Sequence, residues 1–245
     1  MKKLGLLGRN ISYSFSKNYF KDKFQNESLT SFFSYDNYDI QKIDEFKNII
    51  INEPNLIGLN VTIPYKEEII PLLDRLSETA KYIGAVNTIK INSKKELIGD
   101  NTDFYGFQES LIPLLCDHHK KALILGTGGA SKAIAYALKN LGIEYLFVSR
   151  KQSLNTISYN ELNASIITEY NIIINCTPLG TYPNIKDCPS IPYEFITSNH
   201  LVYDLIYNPE KTTFLIKAKE KGAIIKNGYE MLVLQAEKAW EIWNQ

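Results

Sequence analysis

Short apolar runs bounded by Gly, Asn or Pro recur along the chain and alternate with longer segments whose apolar residues repeat at helical spacing. This alternation predicts strands and helices arranged around parallel sheet, an α/β protein. In the first part, strands are expected near Leu4 to Leu7, Phe32 to Tyr35, Leu56 to Val61 and Val86 to Ile91, with helices starting near Ser16, Gln41 and Lys66. The segments IINEPN and TYPNIKDCPSIP read as loops because turn-forming residues crowd them.

The polar stretch Asp117 to Lys120 precedes the apolar run Ala122 to Leu125, which leads straight into GTGGAS and the helical AIAYALKNLG, a helix beginning near Ser131. With a further strand at Tyr145 to Val148 this makes a βαβ unit, and the runs Asn171 to Ile174 and Leu201 to Leu205 extend its sheet. Gly126 suits a tight bend and Gly128 lets backbone approach a pyrophosphate, while the helix N-terminus offers amides and the positive end of its dipole. Ser131 stands where the usual fingerprint has its third glycine. The second strand ends in Ser149, Arg150 and Lys151. NAD enzymes place a carboxylate on the ribose at this point and NADP enzymes an Arg near the extra phosphate, so two cations without a carboxylate favour NADP. A solvated basic turn is the plain alternative.

A chain of 245 residues is long enough for two domains, each with its own core. Lys plus Arg and Asp plus Glu both count 27, so no global basic field draws the chain to nucleic acid or an anionic membrane, and a small-molecule ligand is expected. No apolar stretch reaches the roughly eighteen residues that span a bilayer. Cys116, Cys176 and Cys188, with His118, His119 and His200, lack metal-site spacing. Reduced cysteines, a cytoplasmic location and no metal are expected.

Three polar clusters carry further chemistry. Tyr13-Ser14-Phe15-Ser16 sets two hydroxyls before a helix, where they can bind a carboxylate with the helix amides or act as a plain N-cap. GLNVTIPYKEE carries Asn60 and Thr62 on one face of a strand, then Pro64, which breaks it, and Lys66. AVNTI and LIGDNTDFYGF carry Asn87, Thr88, Asn101, Thr102 and Asp103. Such groups are costly to bury unpaired, so their gathering at strand ends suggests a polar ligand such as a polyol; Asx turns and caps are the structural alternative.

Together these segments resemble the shikimate dehydrogenase family, and the likeness covers nearly the whole chain. The family's Asn-Val-Thr-x-Pro-x-Lys is present as Asn60 to Lys66, Ala-Val-Asn-Thr as Ala85 to Thr88, and Gly-x-Asn-Thr-Asp as Gly99 to Asp103. Further on, Gly126 to Ala130 resembles its Gly-x-Gly-Gly-Ala loop, Asn175 to Gly180 its Asn-x-Thr-Pro-x-Gly strand end, and Tyr203 to Pro209 its Tyr-Asp-x-x-Tyr-x-Pro stretch. Gly228, Met231, Leu232 and Gln235 resemble the closing Gly-x-x-Met-Leu-x-x-Gln helix. Two departures stand out: Lys17 replaces a Pro, and Ser149 and Lys151 flank Arg150 where the family has Asn and Thr.

The resemblance implies an N-terminal α/β substrate domain and a Rossmann-like NADP-binding domain separated by a cleft. The substrate domain would comprise residues 1–102 plus 228–245 and the nucleotide domain residues 103–227. The implied activity is the reversible, NADPH-dependent reduction of 3-dehydroshikimate to shikimate, a step of chorismate and aromatic amino-acid biosynthesis, by a monomer or homodimer. Ser14 and Ser16 would bind the substrate carboxylate, and Asn60, Thr62, Asn87, Asp103, Tyr207 and Gln235 would surround the ring hydroxyls. Gly126, Thr127, Gly128, Gly129, Ala130, Ser149, Arg150, Lys151, Thr177, Gly228 and Met231 would hold NADP(H). No histidine falls in a motif, so Lys66, placed at the reacting oxygen, and Asp103 are expected to handle the proton. Two other readings compete: an NAD-using quinate/shikimate dehydrogenase, and a catalytically silent paralogue that only binds ligands. The absence of Asp or Glu at residues 149–151 weighs against the first, and the presence of Lys66 and Asp103 against the second.

Overall fold

The structure, a computed structural model, describes residues 1–12, 14–150 and 156–245. It divides into two compact units, residues 1–102 with 236–245, and residues 103–235. Each unit is built on one six-stranded sheet with helices, an α/β architecture.

In the first unit the order along the chain is β1 (Lys2–Gly8), α1 (Phe15–Asn26), β2 (Phe33–Asp39), α2 (Phe46–Asn52), β3 (Leu56–Val61), β4 (Arg75–Leu76), α3 (Glu78–Ile83), β5 (Thr88–Ile91) and β6 (Leu97–Asp100). The spatial order is β2-β1-β3-β5-β6-β4. Strands β1, β2 and β3 are parallel, whereas β5 runs antiparallel to both β3 and β6, so this sheet is mixed rather than wholly parallel as the alternating pattern predicted. The physical reason is local: β5 and β6 are joined by the short turn at residues 92–96, which suits only an antiparallel pair. The register sets Asn60 opposite Thr88 and Thr88 opposite Asp100, bringing three motif residues into one row. Because β2 and β3 lie on opposite sides of β1, the connections diverge at β1/β3, and Gly8 and Thr62 follow one another across that point. A side chain at Gly8 would lie 2.5 Å from the Thr62 methyl, so only glycine allows this approach.

The structure differs from the sequence pattern in three places. No α-helix starts near Lys66. Residues 63–69 form turns followed by a 3-10 turn at Ile70–Leu72, because the Lys66 carbonyl accepts the Val86 N–H at 2.7 Å and Pro71 brings no amide hydrogen. The segment IINEPN is a loop only from Glu53, since its first three residues finish α2. Helix α2 itself starts at Phe46, after a 3-10 turn at Ile43–Glu45, later than the Gln41 start expected.

The second unit runs α4 (Asp103–Leu111), β7 (Lys121–Leu125), α5 (Gly129–Asn140), β8 (Glu144–Ser149), β9 (Thr156–Ser158), α6 (Ala164–Glu169), β10 (Ile172–Asn175), β11 (Leu201–Asp204), α7 (Thr213–Glu220), β12 (Ile224–Lys226) and the start of α8 (Tyr229–Asn244). Its sheet, β12-β11-β10-β7-β8-β9, is parallel throughout. Residues 122–125 and 172–175 are fully buried, as expected for central strands covered on both faces. The connections diverge between β7 and β10, so residues after both strands share the carboxyl-end position where such sheets bind ligands.

Helix α8 is shared between the units: residues 229–235 belong with the second and 236–244 with the first. In the first unit its Ala236, Ala239 and Trp243 form a buried helical stripe, and Trp243 donates its indole N–H to the Ile89 carbonyl at 3.0 Å. The sequence reading places the whole helix, from residue 228, with the first unit.

Candidate active site

In the first unit, Ser14 N-caps α1, its hydroxyl accepting the Ser16 N–H at 3.2 Å. The cap forms with Lys17 in the first turn, so a Pro there is not needed to start the helix; Lys17 instead pairs with Asp36 at the surface. Ser16 is 9% exposed and Asn60 4%. The Asn60 amide oxygen accepts the Tyr35 hydroxyl at 2.8 Å, and its amide nitrogen faces the Asn87 carbonyl and the Thr88 hydroxyl, each at 3.4 Å.

Asn87 is the hub. Its Oδ1 accepts the Thr102 N–H at 2.7 Å and the Thr88 hydroxyl at 3.0 Å, and its Nδ2 donates to the Thr102 hydroxyl at 3.1 Å. Asn101 donates to the Ala85 carbonyl at 2.9 Å. These buried amides and hydroxyls are largely satisfied by one another, which fixes their orientation without a bound ligand. Asp103, 6% exposed, follows directly as the first residue of α4. Thr62 and Lys66 are half-buried at the end of β3 and in the turn beyond it.

In the second unit, Gly126 follows β7 with φ +106° and donates its N–H to the Val148 carbonyl at 2.9 Å. A side chain there would be strained and would stand 3.2 Å from the Thr177 methyl. Gly128 caps α5 with no side-chain hydrogen bond, and the space in its side-chain direction is open. The helix starts at Gly129, two residues before the Ser131 start predicted, and Thr127 and Gly128 are exposed. Ser131 is fully buried and donates its hydroxyl to the Gly128 carbonyl at 2.6 Å, which is how a serine serves in the third glycine position. The result is a helix N-terminus with unhindered backbone, a cradle that suits a pyrophosphate. Arg150 follows β8 and is exposed; Lys151 lies outside the described residues, as does Tyr13.

Thr177 donates its hydroxyl to Asn175 Oδ1 at 2.6 Å, and Asn175 donates to Asp204 at 3.0 Å. Asp204 is fully buried, also accepts the Thr212 hydroxyl at 2.6 Å, and burial pushes its pKa up to about 6. Burial likewise pushes the Cys176 thiol well up, helped by the charges of Asp204 and Asp103, so it stays protonated. Gly228 is held against Leu205, where an added side chain would meet the Leu205 carbonyl oxygen at 2.0 Å. In α8, Met231 and Gln235 are each 7% exposed, and Gly106 of α4 packs so closely that a side chain there would stand 2.4 Å from the Met231 carbonyl. Tyr207 is half-buried beyond β11.

Tyr35, Gly106, Asn175 and Asp204 are structural members of these clusters that sequence reasoning gave no role. Asn175 and Asp204 stand inside motifs already noted, whereas Tyr35 and Gly106 carry no local signal. Among the described residues no group of three His, Cys, Asp or Glu side chains could hold a metal ion, and no helix is long and apolar enough to cross a membrane.

A family model described as the shikimate dehydrogenase substrate binding domain matches residues 6–89. The chain is 36% identical over 258 residues to the shikimate dehydrogenase (NADP(+)) of Caldicellulosiruptor saccharolyticus, covering 99% of this chain and 92% of that one. Its structure is similar to the crystal structure of shikimate dehydrogenase from Aquifex aeolicus, with TM-score 0.88, 34% identity and coverage of 100% and 92%. It is also similar to the Thermus thermophilus shikimate 5-dehydrogenase in complex with NADP(H) and shikimate, with TM-score 0.87, 28% identity and coverage of 99% and 93%. With its motifs in order and its likeness to these proteins running from end to end, the chain belongs to the shikimate dehydrogenase family.

Proposed function

We propose that the protein catalyses the reversible, NADP(H)-dependent interconversion of 3-dehydroshikimate and shikimate. The observation that carries this reading is the buried hub of Asn60, Asn87, Thr88 and Thr102, an array of oriented amides and hydroxyls suited to a polyhydroxylated ring.

In this reading residues 1–102 and the final helix hold the substrate, and residues 103–227 hold the cofactor. Ser14 and Ser16, at the start of α1, take the carboxylate of shikimate, where two hydroxyls join the helix N-terminus. Asn60, Thr62, Asn87, Tyr207 and Gln235 orient the ring hydroxyls. Gly126 to Ala130 take the pyrophosphate, Ser149, Arg150 and Lys151 the 2′-phosphate, and Thr177, Gly228 and Met231 the nicotinamide end. Exposed Arg150 supports NADP over NAD, since a planar guanidinium pairs with phosphate and stacks on adenine.

Bound NADPH supplies a hydride to the ketone carbon and no proton. Lys66 stabilises negative charge as it develops on the carbonyl oxygen, and with Asp103 it provides the proton that oxygen takes up. In the reverse direction the same pair removes the proton from the shikimate hydroxyl.

The three cysteines are free and the charge is balanced, which suits a cytoplasmic enzyme; among the described residues no helix is long and apolar enough to cross a membrane. The test is absorbance at the reduced-nicotinamide band after mixing protein, shikimate and either NADP+ or NAD+. Rapid reduction of NADP+ in preference to NAD+ is expected. Reduction of neither would overturn the activity, and preference for NAD+ would overturn the cofactor assignment.

A further inference from the structure

Tyr35 lies in β2 with its side chain 6% exposed, and its ring stacks on Phe20 of α1 at 4.6 Å and 14°. A buried hydroxyl needs a partner, and this one finds it in the proposed substrate site. It donates to Asn60 Oδ1 at 2.8 Å. Burial pushes the phenol pKa up, so the group stays a neutral donor at any working pH.

An amide has an acceptor end and a donor end, and rotation about its last bond exchanges them at little cost unless a partner selects one. Tyr35 can donate only to the oxygen while it holds its contact, so Asn60 Oδ1 is pinned toward β2 and Nδ2 is set on the other side. The contacts of Nδ2 within the protein are long, 3.4 Å to both Asn87 O and Thr88 Oγ1, which leaves it able to turn toward a better acceptor. A ligand hydroxyl supplies one.

We propose that Tyr35 is a positioning residue of the substrate site: its hydroxyl fixes the amide of Asn60 donor-outward, so that it faces the bound polyhydroxy acid. This rests on the substrate-site reading above. Tyr35 touches neither cofactor nor reacting atoms, so its effect falls on substrate binding and not on the chemical step.

The test is Tyr35→Phe, which keeps the ring and its stacking on Phe20 and removes only the hydroxyl. The KM for shikimate should rise about tenfold, the size of one oriented hydrogen bond lost to a buried group, with kcat and the KM for NADP+ changed by less than about twofold. In an Asn60→Ala background, Tyr35→Phe should add little, because the two changes break one chain. A purely packing role would lower the unfolding temperature and leave the shikimate KM at its wild-type value, and that result would overturn the proposal, as would full additivity of the two substitutions. If Asn60→Ala alone leaves the shikimate KM unchanged, the substrate-site reading fails first and this proposal with it.

Discussion

The side-chain oxygen of Asn87 accepts the backbone N–H of Thr102 at 2.7 Å, and the amide nitrogen of Asn87 returns a bond to the Thr102 hydroxyl at 3.1 Å. One amide thereby fastens the chain immediately before Asp103 to the start of β5. Asn87→Ala would leave a buried N–H and two hydroxyls without their partner. The expected loss is about 2–4 kcal/mol of stability, from one or two unsatisfied buried groups, together with a raised KM for shikimate. Urea unfolding and steady-state kinetics check the two effects separately.

Lys66→Ala should lower kcat about a hundredfold or more, the usual size of an acid/base or charge-stabilising contribution. The KM for shikimate should move far less, because the interaction strengthens only as charge develops on the oxygen. A variant with a large rise in KM and near-normal kcat would assign Lys66 to binding instead.

Arg150→Ala should raise the KM for NADP+ roughly tenfold, as expected for loss of a charge-assisted contact to phosphate. The KM for NAD+, which has no 2′-phosphate, should stay within a small factor. Equal weakening of both cofactors would mean that Arg150 acts on the adenosine generally.

Two buried titratable groups of the second unit act on stability with opposite signs. Asp204 has its pKa raised from 3.8 to about 6, so the folded state holds its proton more tightly than the unfolded state; the stability this gives is full below pH 3.8 and is lost as pH rises to about 6. His119 has its pKa lowered from 6.5, by burial and then by the neighbouring His118, and its Nδ1 accepts the Cys116 N–H. Its stability is present above pH 6.5 and is lost as pH falls below that value. Urea midpoints against pH should therefore lose the decline between 3.8 and 6 in Asp204→Asn, and show a shallower acid decline in His119→Gln. Unchanged pH profiles would show that neither group stays buried.

The architecture was legible wherever local pattern and tertiary role agree. The continuous apolar runs of β7, β10 and β11 and the glycines of residues 126–129 announce a parallel sheet and a phosphate turn by composition alone. The turn at Lys66 was not legible, because its course is decided by a carbonyl that bonds Val86, twenty residues on, instead of the next turn of a helix. Tyr35 reads as an ordinary strand aromatic until β1 places it beside β3 and the Asn60 amide. Gly106 looks like a tolerated helix glycine, and its need for close approach to Met231 emerges only when α4 meets α8. Buried Asp204 is likewise explained only by partners brought from β10 and the start of α7.

The most direct test of the account is transfer of label from NADPH deuterated at both nicotinamide C4 positions to 3-dehydroshikimate. Shikimate one mass unit heavier is expected, with deuterium on the carbon that carried the ketone. Shikimate formed without deuterium, or no shikimate at all, would contradict it.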